Sequence, residues 1–150
     1  MFAHALLLAA ASVLAAQDKA GDDAKKELGR LEGTWVATTF EVQGNELPAD
    51  FAKSVKLVCT GEKYVYQGGD GAEEKGTLKL DPSKKPKSLD IKITEGTDQG
   101  KLQLAIYELD GDTLKVCANA ADAKERPKEF SSTKGGGQML VVFKRQKKEK

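Results

Sequence analysis

The sequence predicts an all-β domain, closing as an eight-stranded antiparallel up-and-down barrel behind a short N-terminal helix. Three features of the chain point to it. From Thr34 onward apolar and polar residues alternate with a period of two, the mark of half-buried strands. Turn-forming residues interrupt that alternation about every eight to twelve positions, as they do in sandwiches and barrels. The connections are too short for helical crossovers, so successive strands run antiparallel. Eight such strands in sequence close most simply as a barrel, which leaves no exposed edge. A two-sheet sandwich is the alternative.

The elements follow in order. Asp22 or Asp23 caps a helix through Ala24, Lys25, Lys26, Glu27, Leu28 and Leu31, with acids at its positive end. Leu28 and Leu31 give it one narrow apolar stripe, and Gly33 ends it. Trp35–Val42 is the first strand, broken by Gly44, Asn45 and Pro48, and Asp50–Lys53 makes a helical turn. Val55, Leu57 and Cys59 share one face of the second strand. Gly61-Glu62 turns the chain into the third, Lys63–Gln67, with Tyr64 and Tyr66 on one face. Gly68-Gly69-Asp70-Gly71 leads to the fourth, Glu73–Leu80. Residues 81–87 are a loop, because their two prolines cannot donate to a ladder.

Leu89, Ile91 and Ile93 alternate with Asp90, Lys92 and Thr94 in the fifth strand, and Leu102, Leu104 and Ile106 repeat that pattern in the sixth. Asp110-Gly111 supplies the positive φ of a tight hairpin into the seventh strand, with Leu114 and Val116. Ala118–Lys128 reads as a polar loop, Gly135-Gly136-Gly137 as a breaker, and Met139–Phe143 as the last strand. The domain plan is a leader at 1–16, a barrel at 17–146 and a basic tail at 147–150.

Composition excludes several functions. With 24 Lys+Arg against 23 Asp+Glu, the net charge of +1 argues against a nucleic-acid partner. The longest apolar run is too short to span a bilayer, which needs about 20 residues. That run, MFAHALLLAAASVLAA at Met1–Ala16, has no Lys, Arg, Asp or Glu and ends in small residues, the pattern of a secretory signal peptide. Cleavage after Ala15 places Val13 and Ala15 at the two small-residue positions; a buried helix of the domain is the alternative. No Cys follows the run to carry a lipid anchor, so the expected product is soluble and exported, periplasmic or extracellular.

The only His is His4, so removal of the leader leaves a chain without imidazole. Ser–His–Asp and Cys–His catalysis and His-based zinc sites then lack their central group. Two Cys are too few for a thiolate zinc site, so no metal and no cofactor are expected.

Gly33-Thr34-Trp35 opens the first strand behind a short helix, and Lys144 and Arg145 end the last. This arrangement resembles the lipocalin and wider calycin pattern. There the Trp plugs one end of the barrel and a basic side chain from the last strand packs across its ring, a favourable cation–π contact. Gly33, Trp35 and Lys144 or Arg145 are the closure residues this resemblance implies. The phrases LEGTW (31–35), LDPSKKPKSLDI (80–91), IYELDGDTLKVC (106–117) and ERPKEFSS (125–132) are similar to a family of small exported lipocalin-like domains abundant in planctomycete bacteria. That family has no established biochemical function. The resemblance implies fold and export and supplies no catalytic residues. Ala105 stands where its pattern expects Gly before Ile-Tyr.

Cys59 and Cys117 lie on different strands of a chain bound for an oxidising compartment, which allows a disulfide. Cys59 shares a face with Val55 and Leu57, whereas Cys117 opposes Leu114 and Val116; if both apolar sets point inward, the thiols cannot meet. Asp110-Gly111-Asp112 starts like a calcium loop, but Leu114, Val116 and Ala118 occupy the later ligand positions, so a hairpin suffices. Glu73 and Glu74 are adjacent on a strand and do not converge, which fits a solvated strand. Lys84, Lys85 and Lys87 form a basic loop for which solubility is reason enough. Arg126 and Phe130 either flank a barrel mouth or serve as a structural lock.

The remaining candidate is the barrel interior. Trp35, Tyr64, Tyr66, Leu89, Ile91 and Ile93 are expected to point inward, with Leu102, Leu104, Ile106, Leu114 and Val116 from the later strands. Such a wall suits a small hydrophobic ligand or a packed core alike. The sequence therefore predicts a monomeric, non-enzymatic, exported binding protein. The alternative is a structural or protein-interaction module of the cell envelope, including an inhibitor of an exported hydrolase, with a filled barrel and an envelope protein as partner.

Overall fold

The computed structural model describes residues 21–147. The leader expected at 1–16 and the end of the basic tail expected at 147–150 lie outside them. Helix α1 occupies residues 21–31 and leads directly into β1 (Gly33–Val42). A two-residue strand β2 (Asn45–Glu46) and a short helix α2 (Ala49–Lys53) follow. The remaining strands are β3 (Lys56–Thr60), β4 (Lys63–Gln67), β5 (Glu73–Asp81) and β6 (Lys87–Glu95), then β7 (Leu102–Asp110), β8 (Thr113–Ala118) and β9 (Met139–Arg145).

Every neighbouring pair from β3 to β9 is antiparallel. The first long strand decides between sandwich and barrel. One edge of β1 pairs with β3 at Gly33–Val36 and with β2 at Glu41–Val42. Its other edge pairs with β9 from Trp35 opposite Arg145 to Val42 opposite Met139. That ladder closes eight long strands into an up-and-down barrel, the lipocalin-like fold, with a bulge between Ala37 and Thr39 bending the seam. The β7–β8 hairpin turns one residue later than expected: Asp110 pairs with Thr113, so the loop is Gly111-Asp112, and Gly111 supplies the positive φ, 56°.

Helix α1 plugs the end of the barrel where β1 starts and β9 finishes. Leu31 and Trp35 are buried there, and the Trp35 indole N–H donates to the Leu31 carbonyl at 2.8 Å. Arg145 lies 4.3 Å from the Trp35 ring centre, and its guanidinium donates to Asp112 and to the Glu32 and Arg30 carbonyls. The guanidinium also explains Gly33, which sits at φ 128°: a Cβ there would meet Arg145 Nη1 at 2.9 Å. Lys144 instead points outward to the Thr113 hydroxyl at 2.6 Å, so Arg145 alone crosses the indole.

The same plug buries Glu27 at 6% exposure. Its carboxylate accepts from the Tyr107 hydroxyl at 2.8 Å, from Arg30 at 2.7 Å and from Lys87 at 3.2 Å. Burial alone raises the pKa of this carboxyl; those hydrogen bonds and the charges of Lys87 and Arg30 outweigh it and hold it below its ordinary value. Lys87 is thus the first residue of β6, reaching under the barrel to the helix, and is not part of the solvated lysine loop.

Candidate functional site

Between the plug and the opposite end the barrel encloses a cavity of about 220 Å³. Its wall is mainly aliphatic and aromatic, as the period-two alternation of the strands requires. Tyr64, Tyr66, Leu89, Ile91, Leu114 and Val116, all expected to face inward, line it. Trp35 and Ile93 are buried but lie outside its wall, Trp35 within the plug.

Strand β7 corrects the expectation. Leu102, Leu104 and Ile106 face the outside of the barrel, while Gln103, Ala105, Tyr107 and Leu109 occupy the inward positions. Other parts of the chain shelter only part of this apolar outer face. Leu102, still 45% exposed, borders the groove under α1 beside Leu28. Ile106 is covered by the segment carrying Arg126 and Pro127.

That segment, residues 119–138, straps the outer wall. Arg126 donates to the Leu89 and Ala105 carbonyls and to the Asp90 carboxylate, pinning it across β6 and β7. Phe130 lies under Lys115, whose ammonium is 5.3 Å from the ring centre. Ser132 donates to Glu41 and accepts from the Gly44 N–H. Arg126 and Phe130 are therefore structural locks on the wall and do not flank the mouth. Lys84 and Lys85 border a cleft on the same outer face.

Cys59 and Cys117 are both free and buried. Cys59 points inward on β3, where burial pushes its thiol up to about 12. Cys117 points outward on β8 and donates to the Ser131 carbonyl at 3.3 Å; burial raises its thiol as well.

Apart from Tyr107, whose hydroxyl is bonded to Glu27 at the plug, the polar groups of the cavity gather at the opposite end, where β4 ends and β5 begins. Glu73 and Glu74 do diverge: Glu73 turns outward to Lys75 at 3.4 Å, but Glu74 turns into the cavity and is not solvated like a surface residue. The Tyr64 hydroxyl donates to Glu74 at 2.8 Å. Burial raises the Glu74 carboxyl above its ordinary value; the Tyr64 bond opposes this, and the charge of Asp98 adds to it. Tyr66 stands beside the pair, its phenol pushed up to about 12 by burial and by the charges of Glu74 and Asp70. Asp98 and Gln103 complete this rim; Asp98 pairs with Lys101 at 3.0 Å, and the Gln103 amide donates to the Asn119 carbonyl.

Gly76 makes room for the pair. It sits opposite Tyr64 in the ladder, and a Cβ there would lie 2.8 Å from the Tyr64 ring and 2.0 Å from the Lys92 carbonyl oxygen. At the same end Phe51 of α2 meets Phe40 edge-on, with ring centres 5.6 Å apart, and covers Gly69.

Glu74, Asp98, Gln103 and Tyr107 are the polar cavity groups that sequence reading overlooked, beside apolar wall residues such as Phe40, Leu78, Leu80 and Phe143. The signal was present in β5: the inward parity of Leu78 and Leu80 runs back through Gly76 to Glu74. Among the described residues no group of three or more His, Cys, Asp or Glu could hold a metal ion. No described helix is long and apolar enough to cross a membrane. No family model and no curated protein matches the sequence.

Proposed function

We propose that this chain is an exported, non-enzymatic binding protein that holds one small, mostly apolar molecule inside the barrel. The observation that carries the reading is the cavity of about 220 Å³ with its aliphatic and aromatic wall. An apolar cavity of about 150 Å³ is enough to hold benzene, so this one accommodates a molecule of about nine non-hydrogen atoms. Burial of such a body is favourable at about 25 cal/mol per Å² removed from water. Fixed walls add to this, because a barrel with a locked plug and a strapped wall loses little freedom when it takes a guest.

Native mass spectrometry of the protein from its own envelope or culture medium tests the reading. A reproducible extra mass that disappears on denaturation is expected. The filling variant Val116→Phe should lose that mass while keeping its β circular dichroism. A bare protein that stays bare when small aromatics are offered would overturn the carrier reading and favour the envelope interaction module. A recovered chain still carrying Met1–Ala16 would overturn export.

A further inference from the structure

We infer that the cavity selects molecules whose polar head is a hydrogen-bond donor, an amine above all, and rejects those whose head is a carboxylate. This rests on the binding reading above and names the class of ligand. An aliphatic cavity alone would not discriminate between heads; the rim of this one does.

Among the charged side chains of the wall, Glu74 and Asp98 are acidic, and no lysine or arginine is present. Among the described residues Glu74 has one hydrogen-bond partner, the neutral Tyr64, whose hydroxyl hydrogen is already committed to it. Among the described residues no cation forms an ion pair with Glu74. The nearby Lys101 is engaged by Asp98. A carboxylate ligand would therefore enter a rim of like charge with no cation to receive it, at the full cost of desolvation. An ammonium head faces the opposite situation: it would supply the charge partner that Glu74 lacks. A neutral hydroxyl or amide head falls between the two, donating to the carboxylate without pairing its charge. The raised pKa of Glu74 is what an unpaired, half-buried carboxylate shows, and its cause is first of all burial.

Geometry sets the rest of the ligand. The apolar wall from Leu89 and Ile91 to Leu114 and Val116 lies between the plug and the rim, so body and head are arranged along one axis. A ring on a two-carbon arm with a terminal nitrogen matches that layout and fits the space of about nine non-hydrogen atoms.

The test uses the mature chain and three probes of nearly equal size: phenethylamine, phenethyl alcohol and phenylacetate. Protein-observed NMR titration at neutral pH follows the methyl groups of Leu89, Leu114 and Val116. We expect phenethylamine to bind at least about tenfold tighter than phenylacetate, the increment of one charge-assisted hydrogen bond, with the alcohol between them. In Glu74→Gln, which keeps an acceptor for Tyr64, the amine should lose that advantage while the alcohol keeps its affinity. Equal affinities, or a preference for phenylacetate, would overturn the head-group assignment and leave the binding reading intact. Amine selectivity that survives in Glu74→Gln would take the head away from Glu74 and overturn the assignment too. If no probe moves the cavity methyls, the binding reading itself fails and the inference falls with it.

Discussion

Glu27→Ala should destabilise the protein by about 3 kcal/mol, because it removes the acceptor around which the plug is built. The largest part comes from Tyr107. That residue is only 2% exposed, and its hydroxyl donates to Glu27 at 2.8 Å. Left without an acceptor, a buried hydroxyl costs about 1–3 kcal/mol. The two cations cost less, because the Lys87 and Arg30 side chains are 36% and 52% exposed and regain water; about 1 kcal/mol or less each is reasonable for such pairs. For a domain of this size the total corresponds to a fall in Tm of about 10 °C.

Urea unfolding of the wild type, Glu27→Ala, Tyr107→Phe and the double variant at neutral pH isolates the coupling. It should reach about 1.5 kcal/mol, since the hydrogen bond is to a charged group. The sign of its pH dependence follows from the lowered pKa of Glu27. The carboxyl ionises more readily in the folded chain than in the unfolded one. Its stabilisation is therefore complete above the ordinary carboxylate pKa and is lost as pH falls through the lower native value. The deficit of Glu27→Ala should shrink over that acid range. A coupling below about 0.5 kcal/mol, or a deficit unchanged in acid, would refute the account of the plug.

Other perturbations read other parts of the barrel. Gly76→Ala should cost about 3 kcal/mol or prevent folding, since its Cβ would lie 2.0 Å from the Lys92 carbonyl oxygen; a thermal melt within a degree of wild type would contradict the close approach of β5 and β6. Arg145→Lys should lower Tm and red-shift the emission of Trp35, because a lysine cannot both cover the indole and reach the Glu32 and Arg30 carbonyls; unchanged emission would remove Arg145 from the closure. Both thiols should resist a disulfide-exchange reagent at mild alkaline pH and react only in denaturant, Cys59 because its pKa is raised to about 12. Glu74→Gln should raise Tm at neutral pH. A carboxyl whose pKa is raised on folding costs stability above that pKa, and the cost disappears below the ordinary value, so the advantage should fade in acid; a lower Tm at neutral pH would be the contrary result.

The barrel was legible because each strand carries its own period of two and each turn its own breaker, and neither depends on distant residues. The closure was legible in part: Gly33-Thr34-Trp35 marks a position where a side chain at the glycine would strike the cation above the indole. Which of Lys144 and Arg145 supplies that cation depends on the register of β9 against β1, and only the closed ladder fixes it. The inward face of β7 was misread for a physical reason. Alternation reports burial, and burial is not the same as facing the interior when α1 and the 119–138 strap also cover the outside. Leu102, Leu104 and Ile106 satisfy the pattern as well as Gln103, Ala105, Tyr107 and Leu109 do. Glu27 and Lys87 were opaque because each is charged and local composition places both in water. They are 60 positions apart in the chain and meet only when the helix docks under β6.

The two ends of the barrel treat their polar groups in opposite ways, and that asymmetry gives the binding reading its direction. At the plug, polar side chains are spent on the fold: Glu27 holds Tyr107, Lys87 and Arg30, and Arg145 holds Trp35, Asp112 and two carbonyls. A guest at that end would have to displace bonds that keep the helix docked. At the rim Glu74 has, among the described residues, a single neutral partner and carries the strain of burial in a raised pKa, while Tyr66 presents a phenol beside it. A fold selected for stability alone would place an apolar residue at position 74, continuing the stripe of Leu78 and Leu80. The chain instead keeps an acid and a phenol together at one end of an apolar cavity. A guest that donates to Glu74 would remove the strain that folding leaves there, so affinity for such a guest and the cost of Glu74 to the free protein should have the same origin.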